Sequence, residues 1–123
     1  MIRAALISSL LALLAPAQVM SQETDTTYPV VALAGIMGEL HYLSFRCDGP
    51  GAQDWRETML EMLEFEAPTR GTFRQRLIDA FNEGFYDQEN RRPRCGPETD
   101  FQKQLLGERG RDLSELIRRT YVD

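Results

Sequence analysis

The stretch from Leu33 to Cys47, LAGIMGELHYLSFRC, reads as one helix that is apolar almost all the way round, ending on the first of only two cysteines. At about 100° per residue, Leu33, Ile36, Met37, Leu40, Leu43 and Cys47 fall on one stripe. Val31, Gly35, Gly38, Tyr42 and Phe45 fall on roughly the opposite side, and only Glu39 and Arg46, between the two, are charged. A helix with two apolar faces is normally buried on both. It is therefore either the central post of a bundle or an element with one face waiting for a partner. Both alternatives stand at this stage.

Upstream of this helix lies a segment with a different task. Met1-Ile2-Arg3 is a short basic start, Ala4 to Leu14 is an unbroken run of small and apolar residues and serines, and Ala15-Pro16-Ala17 is an A-x-A cleavage site. That layout predicts a secretory signal peptide over residues 1–17. The run is too short to span a bilayer, which needs about 20 apolar residues, so no stable membrane anchor is expected after cleavage. Gln18 to Tyr28, QVMSQETDTTY, is polar and without apolar period, and reads as a flexible mature N-terminus ahead of a helical domain over 29–123. The expected location is periplasmic or secreted.

In such a compartment, Cys47 and Cys95 pair by default. Metal binding is a poor alternative, because two cysteines and the single histidine, His41, lack the paired C-x-x-C spacing of zinc sites. No cofactor motif appears either. Without Arg3 the chain carries a net charge near −6, which argues against nucleic acid as a partner, since phosphate contacts need a basic surface.

Three further helices follow. Pro29 suits the first turn of the organising helix, which runs to about Arg46 and is stopped by Asp48-Gly49-Pro50-Gly51. Asp54-x-x-Glu57 is a capping box for a second helix with Trp55, Met59, Met62, Leu63 and Glu66 inside. Ala67-Pro68 ends it. Thr72-x-x-Gln75 is the capping box of a third, with Phe73, Leu77, Ala80, Phe81, Gly84 and Phe85 inside and Gly84 placed to admit another helix closely. Pro97 opens a fourth, whose stripe is Phe101, Leu105, Leu113, Leu116, Ile117 and Thr120. Gly107 and Gly110 are positioned to break it midway, and Arg109 falls on the stripe, which fits either a break or an inward arginine paired with a carboxylate such as Glu66. The expected fold is all-α: a small four-helix bundle with one disulfide, preceded by a signal peptide.

Leu40-His41-Tyr42-Leu43 followed by Cys47, Trp55 with Met59, Phe81-Asn82-x-Gly84-Phe85, and then Cys95 form a pattern. It resembles a family of small exported proteins of alphaproteobacteria known only as a domain of unknown function. The likeness spans Val30 to Tyr121, and Phe85 stands where the pattern favours an aromatic hydroxyl. The resemblance implies a periplasmic helical protein. It carries no activity and hence no catalytic residues.

Candidate chemistry is sparse. His41 lies on the flank of the first helix, as a functional base or pH sensor or as a hydrogen-bonded flank histidine. Glu57, Glu61 and Glu64 cluster, but paired-carboxylate catalysis needs a cleft that raises one pKa, and an acidic outer helix face is ordinarily solvated. Arg91, Arg92 and Arg94, with Arg46 drawn near by the disulfide, form a basic knot on an acidic chain, suited to carboxylate or phosphate. Tyr42 and Phe45, if exposed together, are interface anchors. No nucleophile elbow, zinc helix, P-loop or dinucleotide fingerprint is present.

The residues therefore favour a non-enzymatic interaction module of the periplasm. It would engage a protein or cell-envelope partner through Tyr42, Phe45, Arg46, Arg91, Arg92 and Arg94, which requires Tyr42 and Phe45 to be exposed. An acid-stress chaperone is the first alternative, since protonating its 19 carboxylates leaves the chain strongly cationic. A small enzyme or ligand carrier with a cleft near His41 is the second.

Overall fold

The computed structural model describes residues 27–122. The expected signal peptide, and the polar segment as far as residue 26, lie outside the described residues. Four helices follow one another: α1 (Thr27–Asp48), α2 (Asp54–Glu66), α3 (Thr72–Arg91) and α4 (Pro97–Val122). Among the described residues there is no strand, and no helix is long and apolar enough to cross a membrane.

α1 is the central post. It touches each of the other three, α2 also touches α3, and no Cα of α4 comes within 8 Å of α2 or α3. Glycine explains how α3 reaches α1. A methyl group built on Gly84 runs into the backbone of Gly35 and Glu39, and one on Gly38 runs into the backbone of Phe81. The two helix backbones therefore lie against each other with no side chain between them, as the position of Gly84 in the sequence suggests. They run in the same direction, since Gly35 faces Ala80 while Glu39 faces Gln88 further along. α4 runs the opposite way, with Lys103 paired to Asp48 at 3.1 Å and Gly110 beside Leu33 and Ile36.

Two apolar clusters result. Val30, Ala34 and Met37 of α1 meet Met59, Leu63, Ala67, Leu77 and Ile117 at one end. Ile36, Leu40, Tyr42 and Leu43 meet Leu106, Trp55, Phe85 and Leu113 at the other. The disulfide Cys47–Cys95 closes this second end, with 5.4 Å between the Cα atoms. It ties the last turn of α1 to the loop before α4, as the cysteine count predicts.

The inner faces of α2 and α3 are those read from the sequence: Met59, Leu63, Leu77 and Gly84 are buried, and Trp55, Met62, Phe73, Phe81 and Phe85 are half-buried. Their starts differ. Neither helix has a side-chain cap: Gln53 and Gly71 occupy the cap positions, and Asp54 and Thr72 are already helical. Gln75, expected to reach back, instead donates to Asp79 at 2.8 Å.

α4 departs furthest from expectation. It is unbroken from Pro97 to Val122, so Gly107 and Gly110 do not interrupt it. Its inward line is Thr99, Lys103, Leu106, Gly110, Leu113, Ile117 and Thr120, all buried or half-buried, at steps alternating between four and three residues. Phe101, Leu105 and Leu116, expected inside, are 60%, 44% and 49% exposed. Arg109 is exposed, and Glu66 is engaged instead by the Tyr121 hydroxyl, which donates to it at 2.8 Å. The reason is Gly110. A helix lies closest to its neighbour where its side chain is smallest, and Leu33 and Ile36 fill the space over Gly110, turning Leu105 and Leu116 outward.

α2 carries no basic residue in its last turn to offset the exposed carbonyls there. Arg74 of α3 supplies one. Its Nη1 donates to the Ala67 carbonyl at 2.9 Å and to that of Leu63 at 3.5 Å, and its Nη2 to Glu64 at 3.3 Å. Arg74→Ala is expected to cost about 1.5–3 kcal/mol, the usual range for a charge-assisted hydrogen bond. Urea denaturation measures it. Arg74→Lys is expected to recover only part, because an ammonium lacks the planar fork that spans two carbonyls and a carboxylate.

Candidate functional site

α3 ends at Arg91, and Arg92 closes it in the left-handed region (φ 49°, ψ 57°), its N–H donating to the Glu89 carbonyl at 3.2 Å. A non-glycine residue adopts this conformation at some energetic cost. Pro93, Arg94 and the bridged Cys95 follow, then Gly96 at φ 145°, a value that suits glycine. Thr99 fixes the far side of the turn: the Gly96 N–H donates to its Oγ1 at 3.0 Å, and the hydroxyl donates to the Gly96 carbonyl at 2.9 Å.

The turn borders a cleft of about 370 Å³, lined by Arg91, Arg92, Arg94, Glu98, Thr99 and Gln102 over a floor that includes Gln88. None of the three arginines has a carboxylate within ion-pair distance among the described residues. The disulfide holds Arg46, exposed on the last turn of α1, at the same end of the molecule. Arg46 precedes Cys47 and Arg94 precedes Cys95, so the bridge joins the two basic segments.

The two aromatics expected beside it do not share a fate. Phe45 is 39% exposed, but Tyr42 is 8% exposed, packed edge-on against Phe85 at 5.1 Å. Tyr42 is thus a core residue, and the exposure expected of the pair holds for Phe45 alone. The wheel placed both on one face; α3, drawn in by the glycines, covers the Tyr42 side of it. Glu57, Glu61 and Glu64 are exposed on the outer face of α2, the solvated arrangement.

His41 is 7% exposed and enclosed by the rings of Phe45, Phe81 and Phe85 at 6.5, 5.7 and 5.6 Å. Its Nδ1 is buried without a hydrogen-bond partner, so it is not the hydrogen-bonded flank histidine of the bland expectation. Nor does it line any of the four clefts described among residues 27–122. Burial first, and the Arg56 guanidinium second, hold its pKa below the usual 6.5.

A base whose folded pKa is depressed binds its proton more readily in the unfolded chain. Stability is therefore intact above the unfolded pKa near 6.5, falls as pH drops below it, and levels off once pH passes under the folded value. Each unit of depression corresponds to about 1.4 kcal/mol. His41→Phe is expected to flatten this part of the pH–stability curve while leaving the carboxylate-driven loss at lower pH. Denaturation midpoints at half-unit steps from pH 7.5 to 4.5 measure it.

A pair missed by the sequence reading joins α1 to α3. Gln88, fully buried, donates from Nε2 to Glu39 at 3.1 Å, while its Oε1 is buried without a partner. Glu39 is the lone acid between the two apolar faces of α1, and Gln88 follows Gly84 by one helical turn. These were the available signals.

Fold and site together define a small disulfide-clamped helical bundle with a basic corner, and among the described residues no group of three or more His, Cys, Asp or Glu could hold a metal ion. The chain belongs to the DUF2385 family, described as a protein of unknown function, whose model matches residues 27–121. Neither a curated protein nor a solved structure matches it.

Proposed function

We propose that this chain is an exported, non-enzymatic interaction module that binds an acidic protein or cell-envelope partner in the periplasm. The reading is carried by the corner at Arg91, Arg92 and Arg94: three arginines free of ion pairs on a chain of net charge −5, beside a cleft. Guanidinium groups recognise carboxylate and phosphate through paired hydrogen bonds. Phe45 supplies an exposed apolar contact at the same end. The disulfide is consistent with an oxidising, extracytoplasmic location, and the resemblance to exported alphaproteobacterial proteins supports it.

The test is crosslinking of the mature, oxidised protein in the periplasm, at neutral pH and at pH 4. One stoichiometric partner, lost on the triple Arg→Glu change at Arg91, Arg92 and Arg94 and weakened by Phe45→Ala, supports the reading. A partner indifferent to those changes, or none, overturns it.

The acid-stress chaperone is retained as a second reading for one reason, the enclosure of a titratable imidazole among aromatic rings at His41. It requires many weak clients, bound only in acid, and protection of those clients from aggregation at pH 3.

A further inference from the structure

α1 has three neighbours and four sides. On a wheel of about 100° per residue, its contacts with α3 (Gly38, Tyr42, Phe45) and with α4 (Leu33, Ile36) fall on roughly opposite sides. α2 covers one flank between them. The other flank, carrying Ala32, Gly35 and Glu39, lies under a cleft of about 300 Å³ walled by Glu83 and Asp87 of α3 and by Arg109 of α4.

This cleft and the arginine-lined one both lie between α3 and α4 and succeed each other along both helices. On α3 the acidic cleft is lined as far as Asp87, and the basic one begins at Gln88. On α4 their lining residues include Gln102 and Arg109, which bracket Leu105 at helical spacing. Taken together, the two clefts make a groove that follows α3, and the exposed Leu105 stands between Gln102 and Arg109 on its α4 side. Two helices packed on opposite sides of a third have axes on the order of 16–20 Å apart, and a helix with its side chains is about 10–12 Å wide. The floor residues Ala32 and Gly35 are small enough to let it approach.

We propose that this groove receives an amphipathic helix of an exported partner protein, completing a four-neighbour shell around α1. The inference rests on the interaction-module reading and names the form of the partner. Charge sets its direction. Glu39, Glu83 and Asp87 face one end of the groove with Arg109 as the single opposing charge, and Arg91, Arg92 and Arg94 border the other with Glu98 opposing. The partner helix carries basic residues in its first half and acidic residues in its second. The negative end of its dipole also meets the arginines, so it runs parallel to α3. Its apolar face meets Leu105.

The test uses two synthetic 18-residue amphipathic peptides and the mature, oxidised protein. One carries lysines in its first half and glutamates in its second; the other has the halves exchanged. The first is expected to bind at least tenfold more tightly by calorimetry. It should shift the amide resonances of Ala32, Gly35, Asp87 and Leu105, and lose at least tenfold in affinity on Leu105→Glu, an exposed position whose change leaves the melting temperature unaltered. Equal affinity for both peptides, absence of binding, or shifts confined to other surfaces overturn the proposal. So does a dimer by sedimentation equilibrium that Leu105→Glu dissociates, because a second copy then fills the groove. A crosslinked partner lost on reversing the three arginines but kept by Leu105→Glu leaves the interaction module standing and removes the groove helix.

Discussion

Replacing Cys47 and Cys95 by serine is expected to cost about 4 kcal/mol, because the bridge closes a 48-residue ring and restricts the unfolded chain accordingly. For a domain near 100 residues this lowers the melting temperature by roughly 20 °C. It is a large share of the 5–15 kcal/mol typical of a folded domain. The tertiary setting makes the bridge matter further. No backbone of α4 approaches α2 or α3, so α4 is held by its contact with α1, a few side-chain links such as Tyr121 to Glu66, and the disulfide at its entrance. Thermal denaturation with and without reductant, and of the double serine variant, measures the effect. A loss under 1 kcal/mol means that the reduced chain is already restricted or that α4 is held by its contacts alone. Local loosening at the arginine corner should accompany the loss, visible as faster amide exchange from Arg91 to Thr99.

Gly84→Ala and Gly38→Ala are expected to destabilise by about 2–4 kcal/mol, against the direction that helix propensity predicts. In an exposed helix interior, replacing glycine by alanine gains about 1 kcal/mol. At these two positions the added methyl meets the backbone of the opposite helix, at Gly35 and Glu39 or at Phe81. Backbone cannot rotate aside as a side chain does, so α1 and α3 must separate, and the packing around Leu77 and Phe85 loosens with them. Two nearby glycines serve as controls. Gly107 has open space over it, so Gly107→Ala is expected to stabilise α4 by up to about 1 kcal/mol. A methyl on Gly35 finds only the Ala80 carbonyl at an ordinary 3.6 Å, so Gly35→Ala is also expected to stabilise, by up to about 1 kcal/mol. Chemical denaturation of the four variants measures the set. Equal small effects at all four positions mean that the two backbones do not lie against each other.

The contrast among these glycines shows where sequence reading reaches its limit. Gly84 was legible because it falls among Leu77, Ala80 and Phe81 on an apolar stripe, which makes a small residue there informative. Gly110 was not. Its stripe includes Thr99, Lys103 and Thr120, and a position without a side chain carries no hydrophobic signal. The apparent line through Phe101, Leu105 and Leu116 was therefore more conspicuous than the true one. The capping boxes failed for a local reason: the helices begin one residue earlier, at Gln53 and Gly71, so Asp54 and Thr72 are already helical and form no side-chain cap.

The four helices, the inner faces of α2 and α3 and the cysteine pair are legible from the order of residues alone. Each follows from a 3.6-residue period or from residues close along the chain, and such signals survive without knowledge of neighbours. Which alternative α1 follows depends on packing between helices. It is a central post on three sides, so Tyr42 and His41 are enclosed while Phe45 stays exposed at the rim. Its fourth side lies open between α3 and α4. That choice depends on how closely backbones approach at Gly38 and Gly84 and on the side chains of α1 that pack over Gly110, and closeness of approach is a property of pairs of helices, absent from the periodicity of any one.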